Sequence, residues 1–81
     1  MANGSDAMAS LTAVSLQLNG ETRSLQVGSL DILGLLSTLN LNPSHVIVEV
    51  NQMLYKEASF QDCVLQDGDV VEVIQFVGGG K

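Results

Sequence analysis

The residues of greatest chemical interest stand at the end of the chain, in Val77-Gly78-Gly79-Gly80-Lys81. Glycine has no Cβ, so a run of three resists fixed structure and takes up the least width of any peptide. Such a segment can enter a channel too narrow for side chains. It follows Val70-Val71-Glu72-Val73-Ile74-Gln75-Phe76, the most strand-like run in the chain. A strand that ends in a thin tail is a device for presenting a C-terminus. The plainer reading is a frayed end or a linker.

Other side chains that could do chemistry are few. Cys63 is the single cysteine. It can form no internal disulfide, and with His45 as sole helper it cannot build a zinc site. As a nucleophile or persulfide site it is a weak candidate. Beside Val64 and Leu65 it reads better as a small buried hydrophobe. His45 follows Pro43-Ser44 in a loop without an obvious acidic partner, which points to the surface. Asp67-Gly68-Asp69 falls far short of a calcium loop and is explained by turn formation. No P-loop, nucleophile elbow or HExxH motif is present. The chain reads as a protein acted upon, with no catalytic residues and no metal of its own.

Composition sets further bounds. Eighty-one residues make one domain, and 46% hydrophobic residues suffice for a small core. With only Tyr55, Phe60 and Phe76 as aromatics, that core must be aliphatic. The net charge is -6, and Arg23, Lys56 and Lys81 are the only basic residues. Nucleic acid and anionic membranes both need clustered basic residues, so neither is an expected partner. A partner with a basic face is the natural complement. No apolar run approaches membrane-spanning length and no signal-peptide pattern appears, so a soluble, cytoplasmic protein, monomeric when free, is expected.

The elements that must position the tail follow from periodicity. Residues 1–10, rich in Ala, Ser, Asn and Gly, read as a disordered leader or a cloning remnant. Thr12 to Leu18 alternates, with Val14, Leu16 and Leu18 on one face. Asn19-Gly20 is a type I′ hairpin signal, and Glu21 to Val27 returns with Leu25 and Val27 on one face. Ser29 is the expected N-cap of an amphipathic helix over Leu30 to Leu39, with Asp31 at its positive end. Gly34 weakens that helix by ~1 kcal/mol relative to alanine, so it either packs very close to the sheet or is simply tolerated. Asn40-Leu41-Asn42-Pro43 ends it. Val46 to Val50 is a strand, and Met53-Leu54 a brief return. Tyr55 to Phe60 is irregular or one helical turn. Asp62 to Leu65 is a short edge segment, and Val70 to Phe76 is the last strand.

Hairpin, helix, strand, irregular connection and strand predict an α+β, ubiquitin-like β-grasp: a mixed sheet with one main helix on one face. Right-handed crossover makes the last strand parallel to the first and central. The domain spans 11–77, and 78–81 form a flexible tail. If Val71 and Val73 face the helix, then Val70, Glu72, Ile74 and Phe76 lie outside, since Glu72 belongs in water. Val70, Ile74 and Phe76 then make an apolar docking patch beside the tail. The reversed register would put them in the core.

Leu18-Asn19-Gly20, the leucine-rich helix, Val48-Glu49-Val50-Asn51, Asp67-Gly68-Asp69-Val70-Val71-Glu72-Val73 and Phe76-Val77-Gly78-Gly79-Gly80 closely resemble the ThiS family of sulfur carriers, over Thr12 to Gly80. The resemblance implies a role in thiamin (thiazole) biosynthesis. Gly80 would be adenylated by a ThiF-type adenylyltransferase, which uses ATP, and converted to a thiocarboxylate. Its sulfur would pass to thiazole synthase, ThiG. Gly78 and Gly79 would let Gly80 reach the active site, and the carrier would bind no cofactor. The family ends at glycine, whereas Lys81 follows here. Lys81 is trimmed before activation, begins a fused segment, or is foreign to the native chain. A molybdopterin-type carrier, a ubiquitin-like modifier and a bare interaction domain are the alternatives. The glycine triplet after Phe76-Val77 and the short connections favour the thiamin member.

Overall fold

A computed structural model describes residues 11–76. Strands β1 (Thr12–Leu18) and β2 (Glu21–Val27) form an antiparallel hairpin in which Leu18 faces Glu21. Among the described residues the one α-helix, α1, spans Ile32–Thr38. A 3-10 turn at Pro43–His45 leads into β3 (Val46–Val50) and β4 (Met53–Tyr55), and a second 3-10 turn covers Glu57–Asp62. The last strand, β5, is Val70–Gln75. The sheet order is β2-β1-β5-β3-β4. β5 therefore lies in the middle, parallel to β1 and antiparallel to β3, as the crossover argument requires.

Alternation along the strands builds the core. Val14, Leu16 and Leu18 of β1, Val46, Val48 and Val50 of β3, and Val71 and Val73 of β5 are all buried. Ile32, Leu35 and Leu36 of α1 are fully covered, and so is Phe60. Cys63 is buried, the place expected of a small hydrophobe. No helix of the described residues is long and apolar enough to cross a membrane.

The helix start differs from expectation. Its N-cap is Asp31, not Ser29: the Asp31 Oδ1 accepts from the Gly34 amide at 2.8 Å. Ser29 Oγ donates to that same oxygen at 2.9 Å, so the serine buttresses the cap. The helix cannot begin at Leu30, because the Leu30 carbonyl accepts from the Leu65 amide and Asp31 bridges to Val64. Asp31 is thereby held extended, outside the helix. The expected edge segment from Asp62 to Leu65 thus shrinks to a single bridge. At the other end Asn40 takes positive φ (61°), and the amides of Asn40 and Leu41 donate to the Ser37 and Leu36 carbonyls. That is a Schellman closure, which fixes the helix end one residue before Leu39.

Gly34 is buried for a reason neither sequence alternative anticipated. A Cβ there would collide with the carbonyl oxygen of Ser29, so the close approach is to the connection before the helix and not to the sheet.

Candidate docking face and the strand that leads to the tail

β5 is clamped at its first residue and near its middle by asparagines from neighbouring turns. Asn19 (φ 48°) takes the Val73 amide on its Oδ1 at 2.8 Å, and its Nδ2 reaches the Val73 carbonyl at 3.4 Å. One side chain here replaces the strand that β1 no longer supplies. Asn51 (φ 51°) takes the Val70 amide on its Oδ1 at 2.9 Å, and its own amide donates to the Val70 carbonyl at 2.8 Å. The motif reading gave Asn19 only its turn role. What it lacked was the pairing of β1 with β5, which ends at Leu18 and Val71.

The connection into β5 is equally tied down. Asp67 accepts from the Ser15 amide at 2.8 Å, and Gly68 (φ 91°) donates to the Ser15 carbonyl. Asp69 accepts from the Gln66 amide and from Asn51 Nδ2, both at 2.9 Å. Asp69 has the turn role expected of it through Gln66, whereas Asp67 ties the turn to β1 through Ser15. Among the described residues no group of three or more His, Cys, Asp or Glu could hold a metal ion. His45 is exposed at the end of its 3-10 turn.

Beyond Gln75 the Phe76 amide still donates to the His45 carbonyl at 3.0 Å, so Phe76 remains tied to β3 although the strand proper ends one residue earlier. With Val71 and Val73 inward, Val70, Ile74 and Phe76 are 50%, 48% and 44% exposed on the side of the sheet away from α1. The inward register is the one Glu72 favoured. Leu54 is exposed, and by its pairing with Glu49 it shares this outer face. Half-buried Ile47 pairs with Ile74 there. Sequence reasoning missed Leu54 and Ile47, because only the β3–β4 and β3–β5 registers bring them beside β5. Gly78, Gly79, Gly80 and Lys81 lie outside the described residues, as does the leader at 1–10.

Tyr55, a half-buried residue, has a shifted hydroxyl. A hydrogen bond with Cys63 raises its pKa above the ordinary 10.0, with the Cys63 charge, burial and Asp69 acting in the same direction.

A five-stranded mixed sheet with a central last strand and one helix on one face defines a ubiquitin-like β-grasp protein. Known proteins narrow this class. The family model described as the ThiS family matches residues 16–80. The sulfur carrier protein ThiS of Bacillus subtilis is 37% identical over 65 residues, covering 80% of this chain and 98% of that protein. A crystal structure of the thiamine biosynthesis protein ThiS from Geobacter metallireducens superposes with a TM-score of 0.66 at 33% identity, covering 83% of this chain and all of that one. The chain belongs to the ThiS family, whose members are small sulfur carriers of thiamine biosynthesis and not catalysts. A thiazole synthase from Magnetococcus marinus is 35% identical over 68 residues, 84% of this chain. The chain spans only 21% of that longer protein, a match that links it to thiazole synthase.

Proposed function

We propose that the chain carries sulfur as a thiocarboxylate on Gly80 and delivers it to a thiazole synthase. A carboxylate is a poor electrophile at neutral pH. A ThiF-type adenylyltransferase would join the Gly80 carboxylate oxygen to the α-phosphorus of ATP, and pyrophosphate would leave. A sulfur nucleophile would then add to the activated acyl carbon, and AMP would leave with the bonding electrons. The carrier supplies no acid, base or metal to either step. The enzyme supplies the electrostatics. Gly78 and Gly79 give the width needed to thread a narrow site, and Val70, Ile74 and Phe76 seat the domain on the enzyme. What supports this reading is the family match, which runs through Gly80.

The test compares chains ending at Gly80 and at Lys81. Only a terminal residue has a free carboxylate. An added lysine would displace that group by one residue and bring a side chain into a glycine-sized channel. Misplacement on this scale costs ~100-fold or more in rate. The chain ending at Gly80 is expected to support ATP–pyrophosphate exchange with a ThiF-type enzyme, and to gain the mass of sulfur for oxygen. The chain ending at Lys81 is expected to do neither until a protease removes the lysine. Equal activity without trimming, read by intact mass, contradicts the mechanism.

A further inference from the structure

The outer face of the sheet holds an unusual pair. Glu49 of β3 stands directly opposite Glu72 of β5. At the two ends of this ladder Asn51 donates to Val70 and Phe76 to His45. Alternation then makes Ile47–Ile74 and Glu49–Glu72 the hydrogen-bonded pairs, with Cα atoms about 5.5 Å apart. Like charges placed directly opposite destabilise a sheet. A threonine or glutamine at either position would suit a solvated face without repulsion. Among the described residues Arg23 pairs with buried Leu16 on the helix side, and Lys56 stands one residue past the end of β4.

The surroundings sharpen the point. Ile47 and Ile74 form the adjoining row, and Leu54 flanks Glu49 on its other side. A protein that covers these apolar side chains must also take both carboxylates out of water. Two unpaired charges desolvated together would cost more than the apolar contact returns. The cover must therefore bring its own cation to this spot.

We infer that the docking partner inserts an arginine between Glu49 and Glu72, ringed by apolar side chains that close over Ile47, Leu54 and Ile74. Arginine fits better than lysine. Its planar guanidinium offers five donors, enough to bridge two carboxylates on neighbouring strands, and it is less strongly hydrated than an ammonium. The acidic pair selects the partner, while the glycine tail performs the chemistry. This inference rests on the docking reading above, and it adds the charge that the partner must carry.

The experiment uses the full chain with its ThiF-type enzyme. It compares wild type, the double variant Glu49→Gln/Glu72→Gln, and Ile74→Asp, each by binding titration at several salt concentrations and by thermal unfolding. The double variant is expected to bind about 10- to 100-fold more weakly and to lose most of the salt dependence of binding. Its Tm should equal or exceed that of wild type, because the repulsion is gone. Unchanged affinity and salt slope in the double variant, with binding lost in Ile74→Asp, would overturn the arginine while leaving the docking face standing. Unchanged binding in all variants, or no binding of wild type, would overturn the docking reading and this inference with it. A lower Tm in the double variant would remove its premise, the repulsive pair.

Discussion

Tyr55 and Cys63 show how a single contact sets the behaviour of a residue. The thiol hydrogen bond is the largest cause of the raised Tyr55 pKa. For an acid whose folded pKa lies above its unfolded value, the stabilisation is complete below the unfolded value. It disappears as pH rises through the folded one. The fold is therefore expected to hold up to about pH 10 and to weaken beyond it, as the phenolate forms. Tyr55 is the only tyrosine, so ultraviolet absorbance of the phenolate reads it alone. In Cys63→Ala its midpoint should move down toward 10.0, and in Tyr55→Phe the loss of stability on the alkaline side should be reduced. An unmoved midpoint in Cys63→Ala would mean that the thiol contact does not control the shift. This contact was invisible in the sequence, since seven residues, six of them in a 3-10 turn, separate Tyr55 from Cys63. What was legible there was only that Cys63 would be buried.

At the scale of the element, the helix separates what propensity predicts from what packing decides. Periodicity located α1 from the spacing of Ile32, Leu33, Leu36 and Leu39, whereas the structure buries Ile32, Leu35 and Leu36 and leaves Leu33 and Leu39 half-buried. Its start was misplaced by two residues, because Leu30 and Asp31 are held by bonds to Leu65 and Val64, more than thirty residues away. The strands were more legible: their period of two and the Asn19-Gly20 turn are local, whereas a cap chosen between Ser29 and Asp31 depends on distant backbone. Gly34 makes the contrast measurable. Helix propensity alone would have Gly34→Ala stabilise the domain by ~1 kcal/mol. The new Cβ instead meets the Ser29 backbone, which has no flexible end to give way. Overpacking of this kind costs ~1–3 kcal/mol. Denaturant unfolding is expected to show a net loss for Gly34→Ala, and a gain would show that the connection relaxes freely. Asp31→Ala should lose ~0.5–2 kcal/mol by removing the cap, whereas loss of the Ser29 hydroxyl, which donates to the Asp31 side chain and not to a helix amide, should cost less.

At the scale of the molecule, β5 joins the core to the segment that follows Phe76, and its anchoring suits the carrier role proposed above. The central position was legible from element order and crossover handedness. The two asparagine clamps were not, because a turn signal does not reveal which strand will lie beside the turn. Asn19 tests how far that anchoring reaches. β1 pairs with β5 only at Gln17–Val70 and Leu18–Val71, so the Val73 amide on that side depends on a side chain. Asn19→Gly keeps a residue at ease with positive φ, so any loss reports the missing amide and not backbone strain. A partly buried N–H left without an acceptor costs ~1–3 kcal/mol. Native-state hydrogen exchange is the right measurement, because it separates local from global opening. In the wild type the amides of Val71 and Val73 should exchange at the slowest, global rate, and those of the edge strand β4 faster. In Asn19→Gly the Val73 amide should exchange by local opening, well ahead of Val71, which keeps its flanking strands. Equal protection of Val73 in the two proteins would show that β3 and the core alone hold β5 at Val73, and that Asn19 serves only its turn.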